Sequence, residues 1–238
     1  MYKKILSFLI KKTIIYTDIL IHRKRIKKIL INLNLNINTI FDVGSNNGDY
    51  SLLFHQIHPG AKIFAFEPNP YLAQAAIKNT KKFKNIKIIQ NAVGNINSSA
   101  DLSIDHNSSL TTSLAVANQN STTYKIKKFL YDHKVQEITK IRIIKLDSFI
   151  KNNNYPDFVK IDVEGFEEEV LKGLADNLKN IKLIMIEFHF DKLYKKYSTR
   201  SIHSFLTKNN FELTKSAKFP ILKWEDRFYI NTKLANDS

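Results

Sequence analysis

The sequence predicts an α/β protein in which helices cover both faces of a parallel β-sheet, with a small basic helical extension at the N-terminus. Three observations support this prediction. After Asn38, short runs of β-branched and aromatic residues alternate with helical patterns, as in parallel sheets. The first run ends in a glycine-containing turn, and the second ends in an acidic residue. At 238 residues the chain is long enough for one such domain and a small appendage.

The composition excludes several classes of protein. With 43% hydrophobic and 11% aromatic residues, the chain is typical of globular rather than disordered proteins. It has no cysteine, which excludes disulfides, thiolate zinc sites and cysteine nucleophiles and fits a reducing cytoplasm. No apolar run reaches the roughly 18 residues of a membrane-spanning helix, and the N-terminal segment lacks a small-residue cleavage site. We therefore expect a cytoplasmic protein.

Residues 1–38 form a separate basic segment ahead of the main domain, residues 39–238. Apolar triplets alternate with basic pairs there, which predicts one or two amphipathic helices. The segment contains a single acidic residue, Asp18, and nine basic residues: Lys3, Lys4, Lys11, Lys12, Arg23, Lys24, Arg25, Lys27 and Lys28. Two interpretations remain open. We favour packing on the main domain with a solvated basic face; the alternative is peripheral contact with an anionic surface, such as the inner face of the membrane, or with an acidic polymer.

The main domain begins with a strand–turn–helix unit that is typical of nucleotide binding. The segment FDVGSNNGDYS, residues 41–51, ends a strand predicted over 39–43 and starts a helix over 49–58. Gly44 and Gly48 let the backbone approach a ligand closely, and the first amides of the helix are free to donate. Glu67 follows a strand over 62–66 and lies roughly 20 residues past the glycine turn. A carboxylate at this place usually accepts hydrogen bonds from ribose hydroxyls.

The details of the turn favour an adenosyl ligand without phosphates. The dinucleotide fingerprint needs glycines where this chain has Asn46 and Asp49, and the charge of Asp49 opposes a pyrophosphate at the helix start. S-adenosylmethionine fits better, since Asp42 and Asp49 can meet its ammonium and sulfonium side while turn amides meet its carboxylate. The alternative interpretation of residues 41–50 is an ordinary strand and turn in which asparagine and glycine serve only the turn conformation.

The middle of the chain continues the alternation and then becomes polar. A helix over 70–79 and a strand over 86–89 precede a Ser/Asn-rich stretch, 91–123, that contains one alternating strand, 101–104. Long loops inside compact domains are usually functional, so we interpret this stretch as an inserted hairpin and a flexible loop near the mouth of the site. A further strand, 141–146, leads to Asp147, which we expect to cap a short helix.

The last strands of the sheet end in charged residues. The predicted strand 158–162 carries Lys160 and Asp162 on one side and is followed by Glu164 and a helix over 166–178. The next strand, 183–189, carries Glu187 and His189. Charges in strands that should be buried are costly unless they are paired or used, so a buried ion pair and a functional site both explain them. Residues 211–214 and 227–230 are predicted to form a terminal antiparallel pair.

These motifs resemble the FkbM family of S-adenosylmethionine-dependent methyltransferases over roughly residues 39–214. The resemblance is carried, in family order, by FDVGSNNGDYS, FEPNP (66–70), NAVG (91–94), LDSF (146–149), VKIDVEGFEEEVLKG (159–173) and IEFH (186–189). It implies a seven-stranded, Rossmann-like class I methyltransferase fold and methylation of an oxygen, often a hydroxyl of a sugar, a glycan or another small metabolite. The basic N-terminal segment lies outside the matched region.

The resemblance also implies roles for individual residues. Asp42, Gly44, Asn46 and Gly48 would frame the methionine part of the cofactor, Glu67 would hold the ribose, and Asn91 with Ala92 would lie against the adenine. Lys160, Asp162, Glu164 and His189 would line the acceptor side. A sugar hydroxyl needs a base, and we hypothesise His189 as the base and Asp162 as the orienting residue. A divalent ion between Asp162, Glu164 and His189 is chemically conceivable, but no ligand spacing indicates a metal site.

Three rival functions are weighed against this one. The net charge of +15 suggests a nucleic-acid methyltransferase, but Asn69-Pro70-Tyr71 only imitates the motif of base-methylating enzymes, and the carboxylates after residue 161 would repel phosphates. A dehydrogenase is disfavoured by the missing glycines. A non-catalytic adenosyl-binding protein that contacts the membrane through residues 1–38 stays open.

Overall fold

The fold is taken from a computed structural model that describes residues 2–104, 114–131, 137–150 and 155–234. The strands are Thr39–Val43 (β1), Lys62–Phe66 (β2), Ile86–Ile89 (β3), Ala92–Gly94 (β4), Ser98–Ile104 (β5), Glu137–Lys145 (β6), Phe158–Ile161 (β7), Leu183–His189 (β8), Phe211–Lys218 (β9) and Trp224–Asn231 (β10). The α-helices are Tyr2–Thr17 (α1), Arg23–Leu33 (α2), Asp49–Ile57 (α3), Pro70–Thr80 (α4), Thr122–Tyr131 (α5), Leu146–Phe149 (α6), Glu167–Lys172 (α7) and Thr199–Lys208 (α8).

A seven-stranded sheet in the order β3-β2-β1-β7-β8-β10-β9 organises the main domain. The five strands from β3 to β8 run parallel, and β10 pairs antiparallel with both β8 and β9. This confirms the predicted α/β class, the seven strands and the terminal antiparallel pair. The chain order reverses beside β1, so a crevice opens at the carboxyl ends of β1 and β7, where ligands bind in such sheets.

Apolar side chains bury both faces of the sheet, as its parallel strands require. On one face, Val170, Leu171 and Leu174 pack under β1, β7 and β8 in the larger core cluster. On the other face, Phe54 of α3 packs with Ile26 and Leu30 of α2. Helix α2 is therefore part of the core of the main domain, in keeping with the favoured interpretation of that half of the N-terminal segment.

The N-terminal segment is one uninterrupted helix from Tyr2 to Leu33, because a π-helical turn, Asp18–His22, joins α1 to α2. His22 is fully buried, and its Nε2 lies 2.7 Å from Asp226 Oδ2 on β10. Helix α2 ends at Asn34, which adopts a left-handed conformation. Among the described residues, no helix is both long and apolar enough to cross a membrane.

The polar middle of the chain forms a second sheet rather than the expected hairpin. The order of its strands is β4-β6-β5. Strand β5 therefore pairs with β6 although α5 and its flanking segments lie between the two strands in the sequence. Part of the loop predicted over 91–123 falls at 105–113, outside the described residues. Strand β6 also begins earlier than predicted, at Glu137, because its first half pairs with β5.

Two local predictions are wrong because contacts between segments distant in the sequence decide the local structure. Helix α7 ends at Lys172 instead of continuing to 178, since the Gly173 carbonyl accepts the amide of Asp147 at 2.9 Å. Gly173 also lies against β4, where an added Cβ would be 2.1 Å from the Gly94 oxygen. Asp147 lies inside α6 rather than capping it, and its carboxylate accepts from the Asn177 side chain at 2.7 Å.

Candidate active site

A cavity of about 450 Å³ lies at the carboxyl ends of β1, β2, β7 and β8. This volume is within the range of small-molecule sites. Ten of the twelve residues that the sequence singled out line it: Gly44, Asn46, Asp49, Glu67, Asn91, Ala92, Lys160, Asp162, Glu164 and His189. The other two, Asp42 and Gly48, lie behind the lining. The fold thus brings the motifs of five separate segments to one place.

The turn after β1 is pressed against the end of β7. Gly44 has a φ of +78°, and a Cβ at this position would lie 1.8 Å from the backbone oxygen of Asp162, so only glycine fits. The amides of Gly44 and Ser45 both donate to the Phe66 carbonyl, at 2.9 and 3.0 Å. Asn46 follows in a left-handed conformation. All three residues of this turn line the cavity.

Glu67 is a buried carboxylate that is held by the turn itself. Its Oε2 accepts the Asn46 amide and its Oε1 accepts the Asn69 amide, each at 2.9 Å. Burial raises the pKa of Glu67 to about 7, although the two amides and Lys160 act in the opposite direction. A carboxylate oxygen has two lone pairs, so each oxygen retains one that can accept a ribose hydroxyl.

An apolar slot adjoins Glu67. It is formed by Phe66, Leu72 and Val93, with Asn91 and Ala92 at the start of β4 beside them. A slot of this kind, with one polar residue at its edge, suits a flat heterocycle such as adenine. The residues present therefore fit an adenosyl cofactor on two independent grounds, the free lone pairs of Glu67 and this slot.

Lys160 ties the turn to the end of β7. Its side chain is only 2% exposed, and its Nζ donates to the Gly44 carbonyl at 2.8 Å. The same ammonium lies 3.4 Å from Asp42 Oδ1 and 3.3 Å from Asp162 Oδ2. Burial alone would lower the pKa of Lys160, but the carboxylates of Asp162 and Asp42 outweigh burial and raise it, so the lysine stays charged.

Asp42 does not line the cavity but supports the turn after β1 from behind the cavity wall. It is fully buried on β1, and its Oδ2 accepts the Ser51 hydroxyl of α3 at 2.6 Å. Gly48 precedes α3 with a φ of +86°. Both residues therefore fix the shape of the turn, and direct contact with a cofactor is not part of their observed geometry.

The N-terminal helix forms one wall of the cavity, which the sequence did not indicate. Ile14, Asp18 and Ile19 line it, and so does Arg23. The guanidinium of Arg23 lies 2.9 Å from the Asp49 carboxylate and 2.7 Å from that of Asp18. Asp49 is expected from the sequence to meet the ammonium and sulfonium side of the cofactor, but its charge is already paired with Arg23. Contacts between segments this far apart in sequence leave no local pattern.

A buried ion pair ends β8 on the acceptor side. His189 Nε2 lies 2.8 Å from Glu187 Oε2, and both side chains are at most 10% exposed. Burial alone would lower the pKa of His189, but Glu187, Glu164 and Glu167 raise it to about 9. Burial, followed by the charge of Asp162, raises the pKa of Glu187. The edges of the Tyr194 and Tyr197 rings pack on the imidazole at centroid distances of 5.3 and 5.8 Å.

Glu164 is held by two partners that sequence reasoning missed. Lys127 of α5 donates to both of its carboxylate oxygens, at 3.0 and 3.1 Å, and the Tyr194 hydroxyl donates to one of them. Beside it, Gly165 leaves room for the Tyr194 ring, which an added Cβ would approach to 2.3 Å. The Glu167 carboxylate braces this loop by accepting the amides of Val163 and Gly165.

Three of these side chains have the geometry of a weak metal site. One ligand atom from each of Glu164, Glu187 and His189 lies within 4.8 Å of the others, so Glu187 replaces Asp162 in the set considered from sequence. The ammonium of Lys127 already occupies both oxygens of Glu164, and Glu187 is paired with His189. Cationic side chains therefore supply the charge that a metal would bring.

Comparison with known proteins identifies the family. A family model described as the methyltransferase FkbM domain matches residues 42–213. The chain is 30% identical over 152 residues to the hexuronic acid methyltransferase AglP of Haloferax volcanii, covering 63% of this chain and 55% of the relative's length. It is 26% identical over 204 residues to the 2-O-methyltransferase NoeI of Sinorhizobium fredii, covering 82% and 80%.

One solved structure to which the chain is similar is a methyltransferase of low sequence identity. The magnesium protoporphyrin IX methyltransferase ChlM of Synechocystis PCC 6803, solved with bound S-adenosylmethionine, superposes with a TM-score of 0.49 and 12% identity over 87% of this chain and 77% of its own. The family assignment itself rests on the matched domain, which spans the glycine turn, Glu67, the end of β7 and His189. The chain therefore belongs to the FkbM methyltransferase family, whose methyl donor is S-adenosylmethionine.

Proposed function

We propose that this methyltransferase acts on oxygen and that its acceptor is a hydroxyl group of a sugar, a glycan or another small metabolite. The observation that carries the proposal is the buried His189–Glu187 pair, which lines the same cavity as the Glu67 turn. A histidine at this place can take a hydroxyl proton. The names of the two relatives, a hexuronic acid methyltransferase and a 2-O-methyltransferase, point to the same acceptor class.

In this proposal the turn after β1 and the slot beside β4 bind the cofactor. The backbone of Gly44 to Asn46 holds the methionine part, and Glu67 accepts the ribose hydroxyls. Asn91 and Ala92 lie against the adenine. Asp42 and Gly48 act indirectly, because they shape the turn from behind the cavity wall. When bound, the cofactor supplies an electrophilic methyl group on a sulfonium.

Methyl transfer from a sulfonium is an in-line displacement, so much of the acceleration comes from holding the acceptor oxygen at attack distance. A sugar hydroxyl is a weak nucleophile near neutral pH, and a base must remove its proton as the bond forms. We assign this role to His189 in its neutral form. Glu187 then stabilises the imidazolium that results, as a carboxylate partner of histidine does in other enzymes.

Asp162 orients the acceptor. Its side chain is 30% exposed at the cavity, and the buried ammonium of Lys160 fixes one of its oxygens. Glu164, held by Lys127, presents a second carboxylate on the same side. Hydroxyl-rich acceptors suit such carboxylates, whereas the phosphates of a nucleic acid would be repelled by them. This charge pattern favours a glycan or small metabolite over RNA or DNA.

The test is methyl transfer itself. The purified chain is incubated with methyl-labelled S-adenosylmethionine and a panel of uronic acids, neutral sugars and oligosaccharides, and products are identified by mass spectrometry. His189→Ala and Asp162→Ala are then compared for cofactor affinity by calorimetry and for turnover. We expect both variants to bind cofactor and His189→Ala to lose turnover. Full turnover in His189→Ala together with loss in Asp162→Ala would exchange the two roles, and labelling of a nitrogen or carbon would overturn the proposal.

A further inference from the structure

Helix α1 carries an apolar face that is open to solvent. Six large side chains on α1 and on the π-helical turn after it are between 51% and 80% exposed: Tyr2, Ile5, Phe8, Leu9, Tyr16 and Leu20. Their spacings along the chain, 3, 3, 1, 7 and 4 residues, place them on one side of the helix and of the π-helical turn that follows it. Singly exposed apolar residues are ordinary, but a row along five helical turns, with Lys12 between Leu9 and Tyr16, indicates an interaction surface.

The opposite side of α1 is apolar too and is already covered. Ile10 and Ile14 face Phe129 and Leu130 of α5, and the Ser7 hydroxyl donates to the Leu130 carbonyl at 2.9 Å. Since the helix is docked on the domain by its inner side, its outer side is the part that remains to be covered.

The charges around the outer face indicate which kind of surface covers it. Lys12 lies on this face with its Nζ 4.7 Å from the Phe8 ring centre, and Lys24, Arg25 and Lys28 are exposed further along the same continuous helix. The only acidic residue of the segment, Asp18, is paired with Arg23. A second copy of this chain would bring the same positive charges against these, whereas an anionic lipid surface attracts them.

We propose that the outer face of α1 docks on an anionic lipid bilayer, with the helix lying in the interface and its exposed lysines contacting lipid headgroups. Large apolar residues on one side and basic residues along the polar side are what helices of this kind have in common. The docking goes beyond the methyl-transfer reaction and does not depend on the acceptor. It has a consequence for the site, because Ile14, Ile15 and Ile19 of the same helix also line the catalytic cavity.

The experiment is vesicle flotation with the full chain. The protein is mixed with vesicles of pure phosphatidylcholine or of phosphatidylcholine with phosphatidylglycerol, and the floated fraction is measured at low and high salt. We expect binding to the anionic vesicles, weakened by salt, and at least about tenfold less binding to the neutral ones. Equal partition into both kinds of vesicle, or none into either, would overturn the proposal.

A double variant locates the surface. Phe8→Glu with Leu9→Glu places two charges on the outer face, away from the cavity, and should abolish flotation. The matched control is Ile77→Glu with Ile96→Glu, at two isoleucines that are 55% and 60% exposed outside the N-terminal segment. It adds the same charge and should float nearly as the unaltered chain does. Calorimetric binding of S-adenosylmethionine by both variants reports their folding.

Two outcomes decide against the lipid. If the control variant loses flotation to the same degree, net charge rather than the α1 face is responsible. If light scattering shows a dimer that only the Phe8/Leu9 variant dissociates, a second copy of the chain covers the face. Should the α1 variant fail to fold, the salt and headgroup dependence of the unaltered chain still decides whether an anionic bilayer is bound.

Discussion

The ammonium of Lys160 donates to the carbonyl oxygen of Gly44 at 2.8 Å, so a central strand of the sheet holds the cofactor turn in place. The same group balances the charge of the buried Asp42 and that of Asp162 at the cavity wall. One buried lysine thus connects the binding of the cofactor to the orientation of the acceptor.

Replacing Lys160 by methionine should destabilise the fold and weaken cofactor binding together. Two carboxylates would lose their buried partner, which costs about 3–5 kcal/mol of the free energy of unfolding. Chemical denaturation and calorimetry with S-adenosylmethionine measure the two effects. Lys172→Met is the control, since that lysine pairs with Glu168 and Glu169 at the surface and should change stability by less than about 1 kcal/mol. Equal stability of the two variants would contradict the role of Lys160.

Gly44→Ala should abolish activity while Gly60→Ala should not. A Cβ at residue 44 would overlap the Asp162 oxygen in a left-handed backbone, whereas at residue 60 it would meet no atom within 4 Å. A shift of about 1 Å in the turn can reduce turnover by about 100-fold. Turnover and cofactor affinity are measured for both variants. Normal turnover in Gly44→Ala would mean that the turn is not pressed against β7.

Cofactor affinity should depend on the ionisation of Glu67. The carboxylate form accepts ribose hydroxyls, and burial raises the pKa of Glu67 to about 7. Affinity should therefore be full above that pH and fall as the pH drops through about 7. Glu67→Gln should bind about ten- to a hundredfold more weakly, because a charged acceptor is lost, and should no longer show this pH dependence. Calorimetry across the pH range is the measurement, and an unchanged pH dependence in the variant would refute the assignment.

The rate of methyl transfer should rise with pH towards about 9. His189 accepts a proton only when it is neutral, and its pKa is raised to about 9, chiefly by Glu187 once the opposing effect of burial is overcome. In Glu187→Gln that support is lost, so the pKa of His189 should fall and the midpoint of the pH–rate profile should move to lower pH. The maximal rate should fall as well, since the imidazolium that forms loses its partner. Identical profiles for the variant and the unaltered chain would rule out His189 as the base.

Where the sequence pattern is local, it predicts this fold well. The apolar runs give the bounds of β1, β2, β3 and β8. Strands β1 and β8 are buried along their whole length, and such strands must be continuously hydrophobic. Glu67 lies beside the turn because β1 and β2 pair in parallel with Val43 opposite Phe66, so the residues that follow the two strands meet. Charged residues at the ends of β7 and β8 stand out for the same reason, as they break an apolar pattern.

The sequence pattern does not predict contacts between segments that are distant in the chain. The pairing of Arg23 with Asp49 and that of Lys127 with Glu164 depend on how helices dock, and lysine or arginine at those positions is equally compatible with a solvated surface. The early end of α7 has the same origin. Its helical pattern continues past Lys172, but the approach of Gly173 to β4 decides where the helix stops.

The uninterrupted helix from Tyr2 to Leu33 has one mechanical consequence. Its C-terminal half is packed in the core of the domain through Ile26 and Leu30, while its N-terminal half carries the row of apolar side chains that faces solvent. The buried His22–Asp226 contact fixes the helix between these two ends. Because Ile14 and Ile19 of the same helix line the cavity, a change in the position of the outward-facing row would also change the shape of the cavity wall.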